Sequence, residues 1–345
     1  MKNTILLSII AIFLYSCSGK EKKVIAEPLF KISYHRLNID TNIMHTQYHN
    51  GYYLLQLEND NYAVVDSNFN RHREFEQLLA NTKTSYIYRR NDSTILSTEV
   101  RNFQEKEFYL TNDLKLIPCK GLRTISRSDS YGHVYLEDST YHVYGGCLGF
   151  YGGVLLFYNK ANKRLYFYKA CSYQVVHFHN SFYVFDGANG DSITRISYPE
   201  RLNELQYTDR HFSYSLWMKV NGLDAYKKNS GHRLAGVVKY KANYKERYLN
   251  TFVYNDTLFT IVSTDSSTYL AMHQGDSLKA VQTLLNKGIR FNESKYYDDA
   301  GRRIISFSYQ YLQSADTTQL ATQFLNSGFV IIQGRKIDIA EYPRK

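Results

Sequence analysis

The stretch Asn50-Gly51-Tyr52-Tyr53-Leu54-Leu55 places a turn pair directly before an apolar run, and the same order returns along the chain. Asn-Gly accepts the positive φ angles of a tight hairpin turn, and the residues after it are types that pack well on a pleated sheet. The pattern recurs at Asn91-Asp92 before Thr94-Ile95-Leu96, and at Gly132 before His133-Val134-Tyr135-Leu136. It recurs again at Asn180-Ser181 before Phe182-Tyr183-Val184-Phe185, and at Asn255-Asp256 before Leu258-Phe259-Thr260-Ile261-Val262. These starts are separated by 41, 41, 48 and 75 residues; the last gap has room for a unit around Ser213 to Val220, and Gly301 before Ile304-Ile305-Ser306-Phe307 lies 46 further on. That spacing predicts about seven units of roughly 40 to 45 residues, the period of a four-stranded propeller blade. The expected fold class is all-β and β-propeller-like with about seven blades. The competing architecture is a multi-sheet β-sandwich array with a few short helices.

Composition agrees with sheet. The 345 residues hold 33 Tyr and 19 Phe against 1 Trp and 4 Pro, a balance that favours strands. Three stretches compete with the repeat: Arg73 to Asn81, Asp276 to Lys287, and Thr317 to Asn326. The second opens with Asp276-Ser277, carries apolar Leu278, Val281, Leu284 and Leu285, and stops at Gly288, a helix-like order. Each of the three fits either a short helix or an outer strand.

Residues 1–16 are expected to be a signal peptide. Lys2 precedes an apolar run from Ile5 to Tyr15 broken only by Ser8, and this run is shorter than the roughly 20 apolar residues that span a bilayer. Leu14-Tyr15-Ser16-Cys17 resembles the bacterial lipoprotein lipobox, with a branched apolar residue three before the cysteine and a small one just before it. Tyr15 departs from that pattern, standing where a small residue is usual. The resemblance covers about the first 20 residues and is to exported lipoproteins of the Bacteroidota type. It implies cleavage before Cys17, lipid on its thiol and new amino terminus, and anchorage to the outer membrane on its periplasmic or cell-surface face. Some surface-exported members carry a cluster of acids after the cysteine; Lys20-Glu21-Lys22-Lys23 has one. Residues 17–28 then read as a lipidated tether and 29–345 as one β domain.

With Cys17 acylated, Cys119, Cys147 and Cys171 remain. They form no C-x-x-C pair, so the expectation is small buried hydrophobes rather than metal ligands. If any two are bridged, the pair is Cys147 and Cys171, which flank a probable hairpin.

Motifs of catalysis are absent: the chain has no G-x-S-x-G, P-loop, G-x-G-x-x-G or HExxH. His177 and His179 would share a strand face over Val175 to Phe182, but a metal site needs a third ligand that the neighbouring sequence does not declare. His45 and His49 carry less weight still. Asp66, Asp138, Asp186, Asp256 and Asp265 fall at strand ends, where carboxylates either act on glycosidic bonds or bond their own turns. Gly145-Gly146 and Gly152-Gly153 read as tight turns. No metal or cofactor is expected.

Charge is the most distinctive feature. Formal net charge is +10, falling to +9 when Lys2 leaves with the signal peptide. Lys219, Lys227, Lys228, Arg233, Lys239, Lys241, Lys245 and Arg247 outweigh Asp224 and Glu246 by six charges. Trp217, Tyr226, Tyr240, Tyr244 and Tyr248 are interleaved with them. Basic groups attract anions at long range and aromatic faces stack on sugar rings. Trp217, Lys239, Tyr240, Lys241, Tyr244, Lys245 and Arg247 are therefore the candidate binding residues for an anionic glycan, a phospholipid head-group surface or an acidic protein; a plain solvated face is the alternative. Export argues against nucleic acid. The expected function is a membrane-anchored, non-enzymatic binding or scaffold module, and the alternative is a glycan-active hydrolase or lyase.

Overall fold

The computed structural model describes residues 28–90, 93–101, 104–124, 133–147, 153–186, 192–206, 220, 236–242, 245–290, 297–299, 301–309 and 327–342. Strand β1 (Lys31–Arg36) precedes a first sheet of β2 (Ile43–His49), β3 (Tyr52–Leu57) and β4 (Tyr62–Asp66), after which the chain forms helix α1 (Arg73–Asn81). The second sheet is β5 (Tyr86–Arg90), β6 (Ser93–Arg101), β7 (Gln104–Leu110) and β8 (Leu116–Thr124). Strands β9 (His133–Glu137), β10 (Tyr141–Cys147), β11 (Gly153–Asn159) and β12 (Arg164–Tyr168) start the third, and β13 (Ser172–Phe178), β14 (Ser181–Asp186) and β15 (Ser192–Ile196) the fourth. The chain then returns, so β16 (Asn203–Leu205) pairs with β12 and β17 (Val237–Lys241) with β15. The fifth sheet is β18 (Arg247–Tyr254), β19 (Thr257–Ser263), β20 (Thr268–Gln274) and β21 (Ser277–Leu285). The sixth holds β22 (Ile289–Arg290), β23 (Tyr297–Asp299), β24 (Arg302–Tyr309), β25 (Gly328–Gln333) and β26 (Lys336–Glu341).

The chain is thus all-β and multi-sheet, with six sheets among the described residues where about seven units were expected. The unit placed around Ser213 to Val220 lies outside the described residues except for Val220, which is buried. Of the three competing stretches, Arg73–Asn81 is helical: His72 Nδ1 accepts from the Phe75 amide, Glu74 and Glu76 stand in the first turn, and Phe75 and Leu79 are buried. Asp276–Lys287 is instead dominated by strand β21, paired along β20. The turn at Gly275, with φ +59°, reverses the chain, and the ladder to β20 overrides the helical spacing of Leu278, Val281 and Leu285. Thr317 to Asn326 lies outside the described residues.

Continuous apolar runs follow from sheets buried on both faces. In the sixth sheet Ile305, Phe307, Val330, Ile332, Ile337 and Ile339 pack on the fifth, while Ile304, Phe329, Ile331 and Ala340 pack on the first. The third packs on the fourth through Val143, Leu155, Phe157, Val175, Phe182 and Val184, and the fourth on the fifth through Phe185, Ile193, Leu258 and Val262. Leu54 and Val64 of the first sheet meet Ile87, Leu96 and Leu110 of the second, with α1 against them. Alternate residues of one strand therefore feed two different cores, each large side chain contributing about 1.5–3 kcal/mol.

The N-terminal strand joins the two ends of the chain. β1 runs parallel to β26, from Lys31 opposite Lys336 to Arg36 opposite Glu341. Phe30, fully buried, stands edge-on to Phe252 and Phe259 at 5.8 and 5.2 Å. The Arg335 side chain donates to the carbonyls of Pro28 and Leu29, at 2.8 and 3.1 Å, and so holds the chain where it enters the fold.

Consecutive strands pair antiparallel within β2–β4, β5–β8, β9–β12, β13–β15, β18–β21 and β24–β26, so the turns between them alternate between two ends. The β2–β3, β9–β10, β13–β14, β18–β19, β20–β21 and β25–β26 turns share one end, as contacts between neighbouring sheets record. Asn50 Nδ2 donates to Asn112 O, His177 meets Asp138, His179 meets Asp256, and Tyr240 Oη donates to Gly275 O. Pro28 enters beside the β25–β26 turn, so this is the entry end. Asn50 and Gly51 (φ +40° and +93°), and Asn255 and Asp256 (+45° and +52°), adopt the left-handed angles that their turn chemistry predicts.

A disulfide joins Cys147 to Cys171, with Cα atoms 4.9 Å apart. It ties the end of β10 to the residue before β13, bridging the third and fourth sheets; the bonded pair is the one expected if any two were bridged, while the reading of these two as small buried hydrophobes is corrected. Cys119 lies outside the bridge. Gly145, Gly146 and Gly153 are strand residues rather than turn residues. Gly153 is needed for close approach, since a Cβ there would run into the Ala170 carbonyl oxygen and the Cys171 backbone.

Candidate functional site

The described part of the basic stretch begins at β17. Val237-Val238-Lys239-Tyr240-Lys241 alternates as a strand must: Val238 and Tyr240 pack on the core between the fourth and fifth sheets, while Lys239 and Lys241 are exposed. Lysines on an outermost strand also discourage pairing with another chain. Tyr240 is only 6% exposed, its ring stands edge-on to His273 at 5.4 Å, and burial pushes its hydroxyl up to about 12. The expectation that Tyr240 offers a stacking face is therefore corrected, because the strand period turns its ring inward. Tyr248 is buried likewise, with its hydroxyl pushed to about 12 by burial. Lys245 is exposed and Arg247 opens β18. Trp217, Tyr244 and Cys17 lie outside the described residues.

Arg247, with Lys245 two residues before it, falls at the end of the molecule opposite the entry of the chain. β18 starts at Arg247, eight residues before its turn at Asn255, whereas β17 runs from Val237, opposite Ile196, to Lys241, opposite Ser192, with Tyr240 reaching the β20–β21 turn at Gly275. The Arg247 charge is thus presented away from Pro28.

The histidines and carboxylates do other work. β13 ends at Phe178, and His179 sits in the turn with φ +51°, so His177 and His179 do not share a strand face. His177 Nδ1 meets Asp138 Oδ2 at 3.0 Å and His179 Nε2 meets Asp256 Oδ1 at 2.8 Å, stitching the third, fourth and fifth sheets at their turns. His177 also stacks on Phe182 at 4.3 Å. Among the described residues no three His, Cys, Asp or Glu side chains converge as metal ligands. Asp66 accepts from the Asn68 and Asn70 amides, and Asp138 from those of Thr140 and Tyr141. Burial alone would raise the Asp138 carboxyl, but the Tyr141 and Thr140 amides and His177 outweigh it and hold it below the ordinary carboxylate range. Asp265 is exposed in the β19–β20 turn, and Asp186 ends β14. These carboxylates are spread over four sheets, with Asp66 and Asp138 engaged by their own turns and Asp256 by His179.

Two internal histidines carry no sequence signal. His49 is buried between the first two sheets, with Nδ1 on Thr94 Oγ1 and Nε2 on Thr111 O, both at 3.0 Å. His273 ends a polar chain crossing from the fourth sheet to the fifth. The Gln174 amide exchanges bonds with Thr251 N and O, Thr251 Oγ1 meets Thr260 Oγ1 at 2.7 Å, and Thr260 Oγ1 meets His273 Nε2 at 2.7 Å. Burial, helped by the Arg195 charge, pushes the His273 imidazole down to about 4, so it stays neutral.

No protein-family model and no curated protein matches the chain. Among solved structures it is similar to the computationally designed Ika8 protein, at 6% identity over 88% of this chain and 87% of that one, with a TM-score of 0.31. It is similar to a luciferin-regenerating enzyme at 8% identity, over 89% and 96% of the two chains, with a TM-score of 0.34. A post-proline cleaving enzyme from Rickettsia typhi is similar at 8% identity, over 85% of this chain and 52% of that one, with a TM-score of 0.35.

Proposed function

We propose that this chain is a lipid-anchored, non-enzymatic binding module of the outer membrane, its sheets closed into a propeller-like ring, that presents a basic end to an acidic glycan. The observation that carries the reading is the opposition of the two ends. Arg335 holds Pro28 and Leu29 at one, and Lys245 and Arg247 stand at the other. If Cys17 bears lipid, the eleven residues from Cys17 to Glu27 reach at most about 40 Å, which keeps the entry end near the bilayer and directs the basic end outward. The packing of the sixth sheet on both the fifth and the first supports a closed ring. The disulfide fits an exported chain, since such bonds persist in oxidising compartments. A glycan-active hydrolase is not favoured, because Asp66 and Asp138 spend their carboxylates on their own turns.

The test is retention on immobilised polygalacturonate. The wild-type chain is expected to bind in a salt-sensitive way, and the Lys239→Glu, Lys241→Glu, Lys245→Glu variant to lose at least ten-fold in affinity. Unchanged retention of that variant removes the basic end from the account.

A further inference from the structure

Two arginines that are 43 residues apart in sequence are brought to one corner of the basic end. Arg247 on β18 pairs with Ser263 on β19, and the Ser263 hydroxyl accepts from the Ile289 amide at 2.8 Å, placing Arg290 next in line. The chain can pass so close only because residue 288 is glycine; a Cβ there would strike the Thr264 carbonyl oxygen. Arg290 is half-buried, and its Nε is enclosed without a hydrogen-bond acceptor among the described residues. A buried donor left unmade is costly, and a second positive group beside it adds repulsion. Burial and the Arg247 charge both weaken the hold of Arg290 on its proton, with Asp265 opposing them. Just before Arg247 in sequence stand Lys245, which is exposed, and Glu246, whose carboxylate accepts from Tyr269 Oη at 2.9 Å. Lys287 is paired with Glu341 at 3.0 Å. The repulsion and the missing acceptor would both be relieved by one oxyanion, and guanidinium forks match carboxylate, sulfate and phosphate geometry.

We propose that Arg290 and Arg247 form an oxyanion site that receives a carboxylate of an acidic glycan; its glycan part rests on the binding function proposed above, the oxyanion part on this corner alone. The anchoring bilayer is the wrong source for the anion. Ile289 pairs with Tyr309 at one end of β24, whereas Arg302 at the other end pairs with Gln333 beside the Arg335 turn. A strand of that length separates the two by roughly 23 Å.

The test is calorimetric titration of the full-length protein in detergent with trigalacturonate, and separately with inorganic sulfate. The wild-type chain is expected to bind both, with sulfate competing against trigalacturonate. Arg290→Gln is expected to weaken both at least ten-fold. Arg290→Lys, which keeps the charge and guards against a folding defect, is expected to lose at least three-fold because it lacks the fork. Wild-type affinity in both variants overturns the proposal. Sulfate binding without competition from trigalacturonate overturns the glycan as the source. Loss of polygalacturonate retention in the lysine variant with trigalacturonate binding unaffected by Arg290→Gln overturns this site while leaving the binding module standing.

Discussion

The Gln282 side-chain amide and the Phe30 backbone are joined by two reciprocal hydrogen bonds: Phe30 N donates to Oε1 at 2.9 Å and Gln282 Nε2 donates to Phe30 O at 2.8 Å. An amide side chain on β21 thereby imitates a strand neighbour for the residue just before β1, and Tyr34 Oη adds a bond to Leu284 O at 2.6 Å. Replacing Gln282 by Ala leaves both Phe30 groups without those partners. The expected loss is about 2 kcal/mol, read by denaturant unfolding, with hydrogen exchange rising first along β1. A conservative Gln282→Glu change keeps the acceptor and loses the donor, so it is expected to fall between the two.

The Cys147–Cys171 bridge closes a loop with a sequence separation of 24. A loop of that size stabilises the folded chain by about 3 kcal/mol. Thermal unfolding with and without reductant is expected to show that loss in the wild-type chain and no reductant effect in Cys147→Ser, Cys171→Ser. Peptide mapping without reduction is expected to recover the two cysteines as one linked pair, with Cys119 alkylated.

His273 makes stability depend on pH in one direction. Its imidazole is pushed down from 6.5 to about 4 in the fold, so between those values the unfolded chain binds more protons. The contribution is fully present above about pH 6.5 and is lost as pH falls toward 4, up to about 3 kcal/mol. Unfolding curves at pH 7 and pH 4.5 are expected to show it, and His273→Gln is expected to flatten this component while leaving stability at pH 4.5 less affected than at pH 7.

Local chemistry explains which features were legible in the sequence. Asn50-Gly51 and Asn255-Asp256 announce their hairpins because the left-handed turn is a property of those two residues alone. The inward turn of Tyr240 is written in the same local terms, since Val238 and Tyr240 alternate with Lys239 and Lys241, and the density of charge around it masks that strand period. β21 was not legible, because its apolar spacing suits a helix and only the ladder to β20 decides against one. The return of Asn203–Leu205 to the third sheet, and the meeting of Arg247 with Arg290 through Ser263, are products of packing between distant segments. No window of sequence contains both partners.

The most direct test of the account is lysine labelling by an amine reagent on the full-length protein, in native membranes and after detergent extraction, read peptide by peptide. Lys31 and Lys336 flank the entry of the chain, and Lys245 stands at the far end, two residues before Arg247. Anchoring through Cys17 with the basic end outward predicts labelling of Lys31 and Lys336 several-fold slower in membranes than in detergent, with Lys245 unchanged. Protection of Lys245 by the membrane, with Lys31 and Lys336 equally labelled in both states, would contradict it.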